Sequence, residues 1–298
     1  MAKRALFILN PAARRAPPAE RVRAALDGLA GWETALALTE AAAHATELAR
    51  EAARAGQDAV IACGGDGTVN EVANGLAGSQ TALAVVRGGT ANVWAKEARL
   101  PRKLSAAVGL LNDGEVRAID LGKAGDRYFV ALAGVGFDAA VVLAVHSGLK
   151  QRLGAASYIL HGLRLAFSYR STPAELALDG DPLASELYWL LLGNTRNYGG
   201  VLNITDRALV NDGLLDFCLL RRGGMLRLAW MAIGTVLHRH HSRVGYRTLT
   251  SLDVRTPGLP VEIDGEYLGE TPLRFEVAPG ALRVIVPRGL TSPLFGPG

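Results

Sequence analysis

The first 120 residues alternate short apolar runs with helical stretches, and this alternation restricts the fold more than any other feature. A helix is predicted after Pro17 and Pro18 through about Leu29, and another over residues 42–56. The strand-like runs between such helices are 5–10, 32–39, 58–65, 81–89 and 116–122. Strands alternating with helices at this spacing predict a doubly wound parallel sheet covered by helices on both faces.

Beyond residue 122 the pattern changes to short strands separated by turn residues. Such a series is typical of an antiparallel β-sandwich. Two helical insertions are predicted within it, near residues 139–169 and 224–241. The fold class is therefore α/β followed by all-β, with a first domain at 1–122 and a second at 123–298. The last residues are candidates for packing back on the first domain.

Composition describes a globular protein, since 49% of the 298 residues are hydrophobic and 20% are charged. The net charge of only +4 does not favour nucleic-acid binding. Cys63 and Cys218 lie in separate apolar runs, which favours two buried thiols in a reducing compartment over a disulfide.

No apolar segment is long enough for export or for crossing a membrane. The run from Ala5 to Leu9 is shorter than the about 7–15 residues of a signal-peptide core. The longest later run, 225–237, contains Arg227 and falls short of the ~20 residues of a membrane span. We therefore expect a cytoplasmic protein whose membrane contact is peripheral.

The stretch CGGDGTVNEV, residues 63–72, leaves a predicted strand through glycines and enters a helix near Thr68. One interpretation is a tight turn into a helix capped by Thr68, with Glu71 as its capping-box partner. The other is a phosphate-binding loop, since glycines let a ligand approach main-chain N–H groups and a helix N-terminus attracts anions.

A second loop, RGGTANVWA at residues 87–95, repeats this arrangement after the next strand. Two such turns at the carboxyl ends of neighbouring parallel strands would put two sets of donors over one crevice, where α/β sheets bind ligands. Asp66 would repel a phosphate there unless a cation intervened, and Mg²⁺ is the ordinary bridge. The two loops together favour a nucleoside triphosphate with a metal ion.

Other nucleotide motifs fit less well. The chain has no G-x-x-x-x-G-K-[ST] sequence and so no P-loop of that type. GVGFDA, residues 134–139, matches a loose dinucleotide fingerprint, but no Asp or Glu occurs between Asp138 and Glu175 to bind a ribose. We interpret it as a turn beside the active site.

Several motifs together carry a resemblance to a known family. They are NP (10–11), TEAAAHATELA (39–49), GGDGTVNEVANGL (64–76), GGTAN (88–92), ALVNDGLLDF (208–217) and IDGEYL (263–268). In this combination the chain resembles the diacylglycerol kinase catalytic-domain superfamily, and most of all the soluble bacterial lipid kinases related to sphingosine and ceramide kinases. The resemblance implies an α/β nucleotide domain followed by a β-sandwich.

The resemblance also implies roles for particular residues. The Asp212 carboxylate and the main-chain carbonyls of Leu209 and Leu214 would hold a structural Mg²⁺, although NDG alone reads as a type I′ turn. The residues that would contact ATP are Asn10, Thr39, Gly64, Gly65, Asp66, Gly67, Thr68, Val69, Asn70, Gly89 and Thr90.

The acids of IDGEYL would supply the base that takes the proton from a lipid hydroxyl. Asp264 and Glu266 are expected to point the same way along a strand, because they are two residues apart. Which of them accepts the proton stays open, and Asp66 in the nucleotide crevice is a third candidate. Taken alone, the segment reads as a hairpin.

Arg87 departs from the family pattern, in which proline commonly precedes the second glycine loop. Without proline's fixed φ the turn could be looser. A guanidinium there could equally reach a phosphate.

The sequence thus predicts a lipid kinase that transfers the γ-phosphate of ATP to a hydroxyl of diacylglycerol or a similar lipid and depends on Mg²⁺. The alternatives are an NAD kinase and a regulatory protein that binds lipid or nucleotide without catalysis. Segments 139–174 and 217–252 are basic and contain no acids. They predict contact with an anionic membrane surface, although packing against the sandwich explains each segment as well. No nucleic-acid partner is expected, and a homodimer stays open.

Overall fold

The computed structural model describes residues 2–146, 162, 164–200, 202–236 and 244–296. The chain divides into two compact units. The first consists of residues 1–121, 209–213 and 278–298, and the second of residues 122–208 and 214–277. Two late segments of the chain therefore belong to the first unit, and the sequence pattern indicated this only for the last residues.

The elements follow the alternation read from the sequence. The helices are α1 (Ala19–Asp27), α2 (His44–Arg54), α3 (Asp66–Leu76), α4 (Val93–Glu97), α5 (Leu104–Asp113), α6 (Phe137–His146) and α7 (Met225–Val236). The strands are β1 (Lys3–Leu9), β2 (Trp32–Leu38), β3 (Ala59–Gly64), β4 (Ala82–Arg87), β5 (Gly114–Ala124), β6 (Arg127–Phe129), β7 (Leu132–Gly136), β8 (Thr172–Leu178), β9 (Asp181–Leu187), β10 (Trp189–Gly193), β11 (Leu215–Leu220), β12 (Gly245–Leu249), β13 (Ser251–Val254), β14 (Pro260–Ile263), β15 (Glu266–Glu270) and β16 (Leu273–Pro287).

The first unit is built on a parallel sheet in the order β2-β1-β3-β4. Every residue of β3 is buried, because a central parallel strand is covered on both faces. This explains the continuous apolar run from Ala59 to Cys63. The predicted α/β class of the first part of the chain is confirmed.

Helices α2 and α3 pack closely because Gly75 has no side chain. A Cβ at this position would lie 2.6 Å from the Thr46 carbonyl oxygen and from the Ala49 Cβ. Glu71 of α3 also reaches across, and its Oε2 accepts the N–H of Ala45 at 3.1 Å. The first turn of α2 thus depends on its neighbour for one of its N–H partners.

Two details of the predicted strand series are wrong. The run 116–122 does not continue the parallel series, since β5 pairs with β16 and antiparallel with β6. The runs 273–280 and 282–289, which the pattern of turn-separated strands predicts as two short strands, are joined in a single 15-residue strand, β16. Gly280 has φ +61 and donates its N–H to a side chain of the first unit, so the irregularity is accommodated without ending the strand.

The second unit contains an antiparallel sheet in the order β12-β11-β10-β7-β14-β15. One face of this sheet, with Leu190 and Phe217, packs into a core shared with residues of β8, β13 and the beginning of β16. Strands β8 and β9 pair antiparallel, as do β8 and β13. Two antiparallel layers around one core confirm the predicted sandwich, in which β9 and β12 are strands that the sequence reading did not identify.

The opposite face of the same sheet, with Trp189 and Cys218, is covered by helical segments. These are α6, the helical residues 164–168 and α7, so both predicted helical insertions contain helix. Residues 147–161 of the first insertion and the HRHH stretch at 238–241 lie outside the described residues.

Both cysteines are buried and free, as predicted. Burial raises the pKa of each thiol to about 12, so both are protonated and unreactive at neutral pH. Among the described residues, none of the helices has the length and apolar character required to cross a bilayer.

A buried carboxylate joins the three chain segments of the first unit. Asp120 is 3% exposed, and its two oxygens accept the N–H groups of Gly213 and Gly280, each at 2.7 Å. Its own N–H donates to the Val210 carbonyl. One side chain therefore fixes the 209–213 segment and the middle of β16 to β5.

Replacing this carboxylate should weaken the first unit. In Asp120→Ala two part-buried N–H groups lose a charged acceptor, and we expect a loss of roughly 3 kcal/mol in the free energy of unfolding. Urea denaturation measures it, with Asp120→Asn as the control that keeps one acceptor oxygen and should lose less. Equal stability of Asp120→Ala and wild type would contradict the role assigned to Asp120.

Candidate nucleotide and catalytic site

The residues predicted to bind the nucleotide lie together at one edge of the first unit's sheet. Asn10 follows β1, Thr39 follows β2, and Gly64 ends β3, so they all occupy carboxyl ends of parallel strands. The Asn10 amide donates to the Thr68 hydroxyl at 3.0 Å, and the Thr39 N–H donates to the carbonyl of Leu9. This edge is where α/β sheets ordinarily bind ligands.

The two glycine loops touch each other through bare backbone. Gly88 donates its N–H to the Gly64 carbonyl at 2.8 Å. A Cβ on Gly89 would overlap the Gly65 Cα, and a Cβ on Gly88 would lie 3.0 Å from the Gly64 Cα. The contact between the loops therefore requires glycine at position 89 and leaves little room for a side chain at position 88, a reason that the sequence reading did not consider.

Asp66 connects the first loop to the helix after the second. Its Oδ1 accepts the N–H of Val93 at 2.6 Å, in the first turn of α4. Burial raises the pKa of Asp66, and backbone hydrogen bonds from Val93 and Asn92 partly oppose that rise, as does the charge of Lys96. The carboxyl group is thus a structural cap as well as a candidate catalytic or metal-binding group.

The capping box predicted at residues 68–71 is wrong. Helix α3 begins at Asp66 with Gly65 at the N-cap, and no side chain caps it. Instead, the Thr68 hydroxyl accepts a hydrogen bond from the Asn10 amide, and the Glu71 carboxylate accepts one from the Ala45 N–H of α2. Because Gly65 has no side-chain oxygen to cap the first turn, the N–H groups at the start of α3 can serve an anionic ligand.

Side chains within the loop differ in access. Thr68 and Asn70 are buried, and the Asn70 Oδ1 accepts a hydrogen bond from Asn74. Thr90, by contrast, is exposed. A nucleotide would therefore contact the residues around Asn70 in α3 and not the buried Asn70 side chain. The exposed Thr90 can offer its hydroxyl directly.

Arg87 has a role that neither sequence interpretation foresaw. Its Nη2 donates to the carbonyls of Ala95 and Leu100, each at 2.6 Å. These carbonyls belong to α4 and the turn that follows it. Through Nη2 the guanidinium therefore fixes the second glycine loop to its helix.

The residues predicted to hold a structural Mg²⁺ lie at a turn with Gly213 in the left-handed region at φ +72. Leu209 and Asp212 belong to the 209–213 segment of the first unit, whereas Leu214 begins the next segment of the second unit. Carboxylate and carbonyl oxygens are the donors that a hard cation prefers, so the set fits Mg²⁺ in chemistry. Across the described ranges, no group of three or more His, Cys, Asp or Glu side chains forms a metal cluster.

In the second unit, Asp264 is enclosed by main-chain donors. Its Oδ2 accepts the N–H of Val130 at 2.8 Å, and its Oδ1 accepts those of Ala131 at 2.8 Å and Leu132 at 2.9 Å. Three main-chain N–H donors therefore hold both oxygens of the Asp264 carboxyl group in place. The geometry therefore favours a positioning role for Asp264.

Glu266 is accessible by comparison, with 47% of its side chain exposed and Arg127 as an ion-pair partner at 3.6 Å. The expectation that both acids lie along one strand is wrong. Asp264 and Gly265 have φ of +49 and +86 and form a two-residue turn between β14 and β15. Only Glu266 belongs to a strand, so the alternation rule does not relate the two side chains.

A buried carboxyl pair below this turn escaped the sequence reading. Glu262 and Asp138 are 1% and 5% exposed, and a Cβ on Gly134 would lie within 2.7 Å of an oxygen of each. Glu262 also accepts the Gly265 N–H at 2.7 Å, and Tyr198 donates its hydroxyl to Asp138. An acid within the otherwise apolar run of β14 was the signal available in the sequence.

Both carboxyl groups of the pair have raised pKa values. Burial raises the pKa of Glu262 well above its ordinary value, and the charge of Asp138 raises it further. Burial also raises the pKa of Asp138, while the Tyr198 hydroxyl lowers it. Two carboxyl groups in such a place are stable when one proton is shared between them.

Comparison with known proteins decides the family. Residues 4–124 match the model of the diacylglycerol kinase catalytic domain, and residues 131–286 match that of the YegS C-terminal NAD kinase beta sandwich-like domain. A protein of Bacillus subtilis (strain 168) described as a diacylglycerol kinase is 33% identical, with 96% of this chain and 97% of that protein covered. The chain belongs to the diacylglycerol kinase catalytic-domain family.

Other similarities agree with this membership. A Pseudomonas fluorescens protein described as a probable lipid kinase YegS-like is 37% identical, with 93% of each chain covered. The crystal structure of a putative diacylglycerol kinase from Bacillus anthracis str. Sterne superposes with a TM-score of 0.77 at 22% identity, covering 97% of each chain. That structural similarity shows the shared fold, and the resemblance read from the motifs is confirmed.

The loop contact in this kinase-family chain can be tested from both sides. Gly89→Ala forces a Cβ into Gly65, so we expect a loss of about 2–3 kcal/mol in the free energy of unfolding. Gly65→Ala is the matched control, since its Cβ would lie 3.5 Å from the Gly89 Cα, an ordinary contact. Chemical denaturation compares the two, and equal effects would contradict a packing role for Gly89.

The carboxyl pair predicts a pH-dependent stability. Because the pKa of Glu262 is raised in the folded state, the native protein binds more protons than the unfolded chain above the ordinary value of 4.5. Its contribution to stability therefore falls as pH rises from there toward the folded pKa.

Glu262→Gln removes the titration while keeping an oxygen for the Gly265 N–H and a donor toward Asp138. The melting temperature of Glu262→Gln relative to wild type should therefore increase between about pH 5 and pH 8. Differential scanning calorimetry measures the difference, and Glu270→Gln on the exposed strand β15 is the control. A difference that does not change with pH would contradict the raised pKa of Glu262.

Proposed function

We propose that the protein is an ATP- and Mg²⁺-dependent lipid kinase that phosphorylates a hydroxyl of diacylglycerol or a similar lipid. The observation that carries the proposal is the pair of glycine loops in contact at the carboxyl edge of the sheet, beside the uncapped N-terminus of α3. Family membership supports the kinase chemistry, and the names of the Bacillus and Pseudomonas relatives support the lipid class.

The nucleotide is bound by the first unit. The N–H groups of Gly65 to Thr68 face the phosphates, since no side chain caps this helix. Thr90 contributes an exposed hydroxyl from the second loop, and Asn10 holds Thr68 in place through its amide. Phosphoryl transfer depends mainly on such positioning and on neutralising charge.

Magnesium would be held at two places by oxygen donors. Asp66 is the candidate for the ion that accompanies ATP, and Asp212 with the carbonyls of Leu209 and Leu214 is the candidate for a structural ion. When bound, Mg²⁺ neutralises charge on the phosphate oxygens.

Glu266 accepts the proton of the lipid hydroxyl in this proposal. Its carboxylate is exposed, whereas the oxygens of Asp264 are held by three main-chain N–H groups. Asp264 positions the turn that carries Glu266, and Glu262 supports the same turn through Gly265. The Oδ1 of Asp66 is occupied by the Val93 N–H, which makes Asp66 the weaker candidate for the base.

The proposal predicts a specific pattern of turnover. Purified wild type should transfer phosphate from ATP to diacylglycerol or a related lipid alcohol and leave NAD unmodified. Glu266→Gln should lower kcat at least 100-fold, as expected for loss of a general base, while KM for ATP stays within about threefold. Glu270→Gln, four residues along the same strand, is the control and should retain full activity.

Three results would contradict parts of this proposal. Phosphorylation of NAD alone would replace the lipid kinase by an NAD kinase. Full lipid kinase activity of Glu266→Gln would remove Glu266 as the base. Absence of turnover for every acceptor while lipid still binds would favour the regulatory alternative.

A further inference from the structure

Helix α7 of the second unit is apolar on both of its faces. On its inner face, Leu228 and Met231 pack against the sheet, and Thr235 is buried. Its outer face exposes Leu226 by 86%, with Trp230 and Ile233 exposed by 56% and 50%. Arg227 is the one charged residue in the helix. A helix that is apolar all round is ordinarily covered on all sides.

The exposed residues form one stripe. Positions 226, 230 and 233 are separated by four and three residues, so they lie above one another on a helix. Phe167, in the helical residues 164–168, is 73% exposed, and its neighbours Leu165 and Ala166 pack into the same cluster as Leu228 and Met231. Single exposed apolar residues need no explanation, but a stripe of this kind marks an interaction surface.

Positive charge surrounds the stripe. Arg221, Arg222, Arg227 and Trp230 line an open groove of about 450 Å³ beside the helix. The sequence from 217 to 252 contains no Asp or Glu. The turn before α7 is held tightly, since a Cβ on Gly223 would overlap the Tyr188 ring, and this fixes the two arginines that precede it.

We propose that this surface docks on an anionic phospholipid bilayer, with Leu226, Trp230 and Ile233 entering the interface and the arginine groove receiving a lipid phosphate. Apolar residues beside basic ones, with Trp at the boundary, are the composition that interfacial helices use. The docking proposal rests on the proposed function only in the purpose that it gives to docking, which is the delivery of a lipid substrate. The binding itself is testable without nucleotide.

The helix length agrees with docking in the plane of the membrane. Twelve residues extend about 18 Å, well short of the ~30 Å hydrocarbon core. A second copy of the chain fits the surface less well. In a two-fold symmetric contact the same patch meets itself, which would bring the basic patch of Arg221, Arg222 and Arg227 against the same basic patch of the second copy.

The test measures co-sedimentation of the full chain with vesicles of phosphatidylcholine alone or mixed with phosphatidylglycerol, without ATP. Wild type should bind the anionic vesicles, and binding should fall as salt increases. Leu226→Ser/Trp230→Ser should reduce the partition coefficient at least tenfold. The matched control is Val116→Ser in β5, which removes another exposed apolar side chain, 47% exposed, and should bind as wild type does.

The charge contribution is tested separately. Arg222→Gln/Arg227→Gln should weaken binding to anionic vesicles by roughly fivefold for each arginine removed, with no effect on neutral vesicles. Arg23→Gln/Arg54→Gln, with both exposed arginines in the first unit, is the control of equal charge and should leave binding unchanged. The emission of Trp230 should shift to shorter wavelength on anionic vesicles, and Trp230→Phe should abolish that shift while keeping most of the binding.

Several outcomes would overturn the docking surface. Unchanged binding of Leu226→Ser/Trp230→Ser would do so, as would equal binding of wild type to neutral and anionic vesicles. A concentration-dependent dimer in sedimentation velocity that these substitutions dissolve, with no vesicle binding, would assign the surface to a second copy.

The kinase proposal and the docking proposal fail in different ways. A docking variant that loses activity on vesicle lipid but keeps kcat/KM on a dispersed short-chain diacylglycerol supports both. Vesicle binding without turnover of any lipid supports docking and contradicts the kinase.

Discussion

The candidate site depends on the close approach of two stretches of bare backbone. Gly64 and Gly65 meet Gly88 and Gly89 with no side chains between them, and the Gly88 N–H donates to the Gly64 carbonyl. This contact fixes the start of α3 relative to the turn before α4, and Asp66 completes it by accepting the Val93 N–H. Glycine in these loops serves packing first, and the open N–H groups of α3 are its chemical result.

In the second unit, two acids, Asp264 and Glu262, hold the hairpin turn between β14 and β15. The backbone of Asp264 is in the left-handed region, and its carboxyl oxygens accept hydrogen bonds from the N–H groups of residues 130–132. Glu262 holds the Gly265 N–H from within the sheet and shares its buried surroundings with Asp138. Because Asp264 and Glu262 are held in this way, Glu266 is the accessible carboxylate next to the turn.

Much of the fold follows from local pattern. The parallel strands of the first unit are continuous apolar runs because they are covered on both faces, and the turn-rich second half forms antiparallel layers. What the sequence did not reveal depends on distant partners. Strand β5 pairs with β16 because Asp120 and its neighbours meet segments some 90 to 160 residues away, and no local pattern encodes that choice.

The same reason explains the errors within the site. Thr68 and Glu71 have the spacing of a capping box. Both side chains instead form hydrogen bonds with residues outside the helix, Thr68 with Asn10 and Glu71 with Ala45. The motifs predicted the glycine loops themselves, because glycine and acid residues are needed there locally. The roles of Arg87, Asp138 and Glu262 became visible only with their contacts.

The most direct measurement is a crystal structure with Mg²⁺ and a non-hydrolysable ATP analogue. If the two glycine loops form the nucleotide site, the analogue's phosphates will lie on the N–H groups of residues 65–68, next to Thr90. An analogue bound at another place, with these N–H groups still facing solvent, would contradict the assignment of the site.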